Sequence, residues 1–156
     1  MTAKAIQDYY PDEFAHCYGC GHKNHEGHQI KSFPDGDEAV CHYTPDPKYS
    51  GGFPGNIYGG MIASLLDCHS AATAAYLKHR EEGLDLDTTP PHRFVTASLK
   101  VDFLKPAPSE TVFELRAHAA EIKGRKVIVL STLSANGEVK AKGEAVMVKI
   151  PDEAVK

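Results

Sequence analysis

One acid in this chain stands where an acid is costly. The segment Met61–Leu77 reads MIASLLDCHSAATAAYL, and Asp67 is its only formally charged side chain. One helical turn away lie Ala63, Ser64, Ser70 and Ala71, none of which can neutralise it. Withdrawing an unpartnered carboxylate from water is expensive, and the ordinary response is a raised pKa, which suits a general base or nucleophile. Residue type and spacing leave a second reading equally open, in which Asp67 reaches solvent at a helix edge or pairs with a distant Arg or Lys. Gly59-Gly60 opens the same stretch. A helix N-terminus presents unpaired N–H groups and partial positive charge, and glycine lets a ligand approach that backbone. Gly59 can thus donate to the oxyanion of a tetrahedral intermediate while Asp67 attacks or activates water. On one helix the two lie about 12 Å apart, at 1.5 Å per residue. That is too far for one carbonyl, so this chemistry requires the acid from a second copy of the helix.

A second constellation, Cys17, Cys20, His22 and His25, places four metal-ligand types in one short loop. Zinc sites normally draw two such clusters together across a longer gap. Here all the candidates crowd into one place, so the expectation is a loop without metal and an activity that survives chelation. Cys41 and Cys68 fall inside regular elements and read as small buried thiols.

The elements that must hold these residues follow from pattern. Residues 1–36 form a polar lead-in with the Cys/His loop, and residues 37–150 form one domain. Glu38–Thr44 is a strand. A loop rich in Gly and Pro leads to a helix from about Gly59 to His79, apolar or small nearly all round and therefore buried. In Phe94–Leu104, Val95, Ala97, Leu99, Val101 and Phe103 alternate with Thr96, Ser98, Lys100 and Asp102. Strands over Thr111–Ile122, Lys126–Ser134 and Glu138–Ile150 are joined by Lys123-Gly124-Arg125 and by Asn136-Gly137, a type I′ hairpin signal. A meander with one long helix points to an α+β fold, an antiparallel sheet of about five strands wrapped around that helix.

These residues also carry a resemblance. Phe53-Pro54-Gly55, followed by Tyr58-Gly59-Gly60-Met61-Ile62-Ala63-Ser64-Leu65-Leu66-Asp67, resembles the hotdog-fold thioesterases of the phenylacetate-pathway type. Phe94 to Pro106 is similar to the strand that follows in that family, and Cys17-Tyr18-Gly19-Cys20-Gly21, with Asn24 and Gly27, to the lead-in of one branch. The resemblance implies a hotdog fold, dimers or dimers of dimers, and hydrolysis of acyl-CoA thioesters without a cofactor. It implies Gly59 as the N–H donor to the thioester carbonyl, Asp67 as base or nucleophile from the partner subunit, and Thr96 as a residue that positions water. Tyr58, Gly60, Asn56 and Ser70 are the expected substrate contacts. The pattern departs at Tyr58, where the family has His; a tyrosine donates a hydrogen bond but is no base near neutral pH.

Composition sets the bounds. The chain has 156 residues, 42% hydrophobic and 24% charged, with a formal net charge of -4 and a pI near 6.1. One domain is expected, and an acidic balance disfavours nucleic acid as a partner. No apolar run approaches the ~18 residues that span a bilayer, and Met1–Tyr10 lacks the regions of a signal peptide, so the expected setting is the cytoplasm. Lys100, Lys105, Arg125 and Lys126 are either CoA-phosphate contacts or solvated surface. Three other readings compete: a zinc module; a dehydratase on the same fold, which would need a His at Gly52; and a hotdog domain that binds acyl-CoA without cleaving it.

Overall fold

The computed structural model describes residues 3–151. One helix, α1 (Gly59–Glu81), lies against a single antiparallel sheet built from β1 (Ser32–Asp35), β2 (Glu38–Tyr43), β3 (Phe94–Phe103), β4 (Phe113–Lys123), β5 (Lys126–Ala135) and β6 (Glu138–Lys149). The strand order is β1-β2-β4-β5-β6-β3. This is the hotdog arrangement expected from the sequence.

The helix is buried because it has almost no polar face. Its first half sets large side chains, Met61, Leu65 and Leu66, among Phe113, Leu115 and Leu133 of the sheet. Its second half is small, and Ala74 packs with Val127, Val129 and Met147. Each fully buried Leu or Met is worth roughly 1.5–3 kcal/mol. Close approach also depends on Gly143 of β6, where an added Cβ would stand 2.6 Å from Ser131 Oγ and 3.6 Å from Leu66.

Two features differ from the sequence reading. The sheet has six strands, because β1 comes from the stretch read as lead-in. And β3 is not the first strand of the meander: it pairs with β6, while β4 pairs with β2 and β5. The segment between β3 and β4 carries Pro106 and Pro108, which suit a crossing connection and not a tight hairpin. The turns between β4, β5 and β6 form as expected, with positive φ at Gly124, Asn136 and Gly137.

The lead-in is anchored to the domain. Ile6 and Ala15 are buried. Gln7 donates through Nε2 to Ser32 Oγ at 3.0 Å and accepts the Ser32 N–H at 2.8 Å. Ser32 Oγ in turn lies 2.8 Å from His69 Nδ1, and His69 Nε2 lies 2.9 Å from the Ala39 carbonyl. A carbonyl only accepts, so His69 carries its proton on Nε2 and takes the Ser32 hydroxyl proton at Nδ1. Burial then holds the His69 pKa down at about 4.

Candidate active site

Asp67 is half-buried at the middle of α1 and lines a cavity of about 360 Å³. The opposite wall is β3. There Thr96 Oγ1 donates to Asp67 Oδ1 at 2.6 Å, a short charge-assisted bond that fixes the carboxylate. Strict alternation would put Thr96 on the face opposite Leu99 and Val101, both of which pack into the core. A register shift between Thr96 and Ser98 supplies the extra residue, Ala97, that turns Thr96 toward the helix instead. Thr96 is thus brought to Asp67 by a bulge that a period of two does not reveal. Asp67 has no ion-pair partner among the described residues.

The roof of the cavity comes from the lead-in: Tyr10, Phe14, Cys17 and Cys20 line it together with Cys68 of α1. The loop Cys17–Ile30 closes on itself through Gly21 N–H to Cys17 O at 2.8 Å and His28 N–H to Tyr18 O at 2.8 Å. It sits directly on the helix, since a Cβ on Gly19 would stand 2.3 Å from Cys68 Sγ. Cys17 Sγ lies 3.7 Å from Cys68 Sγ, and the sulfurs of Cys17, Cys20 and Cys68 all fall within 4.8 Å of one another. Close approach of the Cys20 and then the Cys68 thiol pulls the Cys17 thiol far below its usual range, and the approach of Cys17 pushes Cys20 and Cys68 up. His22 and His25 are not in this group; His22 Nε2 is 3.3 Å from the Tyr10 carbonyl. Sequence reasoning missed Cys68. Its signal was faint: a cysteine one residue after the acid, far in sequence from Cys17.

Gly59 lies elsewhere. It lines a separate groove with Ile57, Ile62, Phe103, Lys105 and Ala107. Tyr58 is the N-cap of α1 in extended conformation and makes no side-chain cap bond. The Gly59 and Gly60 N–H groups have no acceptor among the described residues, while Met61 and Ile62 donate to the Tyr58 carbonyl at 3.1 and 3.3 Å. The helix therefore presents free donors at an exposed end. The ring of Tyr58 is 43% exposed and lies over Gly60, where a Cβ would meet it at 2.4 Å. Asn56 is half-buried nearby, its carbonyl accepting the Gly51 N–H at 2.8 Å. Lys105 pairs with Glu138 at 2.5 Å and Lys126 with Glu121 at 3.3 Å.

Within one chain, then, the expected residues form two groups: Asp67 with Thr96, and Gly59 with Gly60, Tyr58 and Asn56. Ser70 joins neither. It is fully buried, and its hydroxyl has no partner.

The same division points outward. β3 is an edge strand of ten residues with no proline inside it, and its end is apolar and open, Phe103 being 56% and Leu104 51% exposed. The other edge, β1, has four residues and contains Pro34. An unblunted edge is a template for pairing; a short proline-bearing one is not.

Residues 54–142 match the family model described as the Thioesterase superfamily. A thioesterase superfamily protein from Shewanella loihica PV-4 is 35% identical, with a TM-score of 0.68 over 90% of this chain and 98% of that one. The PaaI protein from the phenylacetic acid degradation operon of E. coli is similar in fold, with a TM-score of 0.65 at 16% identity over 80% of this chain and 81% of that one. The acyl-coenzyme A thioesterase THEM4 of Xenopus laevis is 34% identical over 88 residues, 56% of this chain and 33% of that protein. The chain thus matches about a third of the length of such curated relatives. With the family match spanning more than half of its residues, the chain belongs to the thioesterase superfamily.

Proposed function

We propose that this protein hydrolyses acyl-CoA thioesters to the free acid and CoA, in sites shared between two subunits. The observation that carries this reading is the separation just described. A fixed carboxylate and a free helix N-terminus, the two halves of a thioester-cleaving site, are present in one chain but open into different cavities. Pairing β3 with β3 of a second copy brings the Gly59 end of one helix toward Asp67 of the other. The Gly59 N–H then polarises the thioester carbonyl and receives the developing oxyanion. Asp67, held by Thr96, either takes a proton from a water that attacks the carbonyl carbon, or attacks that carbon itself to form a mixed anhydride that water then hydrolyses to the free acid. The CoA thiolate leaves and is protonated. Tyr58 and Asn56 flank the oxyanion donor as substrate contacts.

The substrate class is supported by family membership, by the acyl-CoA thioesterase among the relatives, and by a fold neighbour: a hypothetical thioesterase protein from Streptococcus pneumoniae solved with coenzyme A, with a TM-score of 0.62. No helix among the described residues is long and apolar enough to cross a membrane. A reducing compartment, the cytoplasm, suits the four free cysteines. The test is thiol release from a panel of acyl-CoAs by the purified protein, with its mass in solution measured alongside. Turnover by a dimer or tetramer supports the reading; acyl-CoA binding with no thiol release, or a monomer at micromolar concentration, overturns it.

A further inference from the structure

We propose that Cys17, Cys20 and Cys68 bind one thiophilic divalent cation, of the zinc class, that ties the lead-in loop to α1 beside Asp67 and keeps a fourth coordination position open to the cavity. The inference does not depend on the hydrolase reading.

The expectation of a metal-free loop rested on all candidate ligands lying in one short segment. The fold removes that objection. Cys68 comes from the middle of the central helix, so the site joins two distant parts of the chain, as zinc sites normally do. The donors are also of one kind. Three sulfurs select a soft cation over magnesium or calcium, which require oxygen.

Geometry agrees. Zinc–sulfur bonds of about 2.3 Å at tetrahedral angles place neighbouring sulfurs roughly 3.8 Å apart. Cys17 and Cys68 are 3.7 Å apart, and Cys20 completes a triangle with no edge above 4.8 Å. Cys17 and Cys20 have the two-residue spacing of a chelating turn. Gly19, between them, lets the turn press onto Cys68, since any Cβ there would displace the sulfur. These three thiols are therefore held at metal-binding separations by backbone packing, before any ion arrives. Cys41, the remaining cysteine, is buried away from them on β2.

The fourth position follows from what surrounds the triangle. All three cysteines line the cavity that Asp67 and Thr96 line, and Cys17 is exposed. Neither nearby loop histidine is in the cluster. The fourth ligand is accordingly a water in the cavity. A cation there would clamp the roof of the site to the helix that carries the acid.

Cobalt(II) is the probe, because thiolate ligands give it intense charge-transfer absorption and four-coordination gives it strong visible bands. The full chain, reduced and stripped of metal, is titrated with Co²⁺ without oxygen and then with Zn²⁺. The expected result is one Co²⁺ per chain with thiolate charge transfer, displaced by one Zn²⁺, and a rise in melting temperature with zinc. Cys68→Ser and Cys17→Ser each abolish the spectrum and the rise, while Cys41→Ser keeps both. Cys17 is exposed, so its variant folds even if a change at Cys68 does not; circular dichroism checks each. The proposal is overturned if Co²⁺ gives no thiolate charge transfer. It is equally overturned if Cys68→Ser binds as wild type does, which would leave the loop alone as the ligand, or if mass spectrometry finds two of the three cysteines joined as a disulfide under the same reducing conditions.

Discussion

Thr96 Oγ1 donates to Asp67 Oδ1 at 2.6 Å, and that one bond joins the edge strand most suited to pairing with a second copy to the acid at the middle of the central helix. On the proposed reading, substrate chemistry and assembly meet at β3.

The acid should dominate catalysis. Asp67→Asn keeps the size and removes the charge, so the fold should persist. Turnover should fall by about two orders of magnitude or more, the scale of a lost general base. The loss should appear in kcat with KM little changed, because binding rests on other contacts. Thr96→Val removes a bond to a charged group and should cost about 1.5–3 kcal/mol of barrier. Tyr58→Phe removes at most one neutral hydrogen bond, about 1 kcal/mol. Steady-state kinetics on the three variants test the ordering. Near-native turnover in Asp67→Asn with an inactive Tyr58→Phe would reassign the acid.

Gly19 has a packing reason that its loop context hides. With an added Cβ 2.3 Å from Cys68 Sγ, Gly19→Ala must push the loop off α1 or shift the helix. A loss of about 1–3 kcal/mol is expected, as for other overpacked sites. Denaturant unfolding measures it. An unchanged midpoint would mean that the loop and helix are not in tight contact.

The buried His69 gives stability a defined pH dependence. Its pKa lies at about 4 in the folded chain, pushed down by burial from 6.5. Between those values the unfolded chain binds a proton that the folded one does not. The contribution is therefore complete above about pH 6.5 and is lost as pH falls toward 4, by about 3 kcal/mol in all. Melting curves of wild type and His69→Gln across that window should converge on acidification. A difference that stays constant or grows toward low pH would contradict a His69 held neutral by burial.

Much of this was legible in the sequence, for physical reasons. A helix with one acid among Ala, Leu and Ile can only be central, and the Asn136-Gly137 turn can only be tight. The parts that escaped depend on contacts that pattern does not encode. Ser32–Asp35 is a strand because it pairs with β2 across a tight turn with positive φ at Gly36, while SFPD, with its proline, does not read as one. Thr96 faces Asp67 because Ala97 bulges. The pairing of β3 with β6 depends on how residues 104–112 cross over, and Cys68 meets Cys17 only once the lead-in folds back across the helix.

In the proposed arrangement, one active site takes Gly59 from one subunit and Asp67 from another. Gly59→Pro removes a single N–H at the first helical position, where proline is tolerated, and the extended Tyr58 before it, at φ -71° and ψ 153°, accepts a following proline. Gly59→Pro and Asp67→Asn should each be nearly inactive alone. When the two are mixed and allowed to exchange subunits, each heterodimer carries one site with both defects and one with neither. Thiol release from acyl-CoA should then recover to roughly a quarter of the wild-type rate at equal mixing, by the statistics of a two-fold pair. No recovery, with subunit exchange verified by native mass spectrometry, would place Gly59 and Asp67 in one chain's site and contradict the shared arrangement.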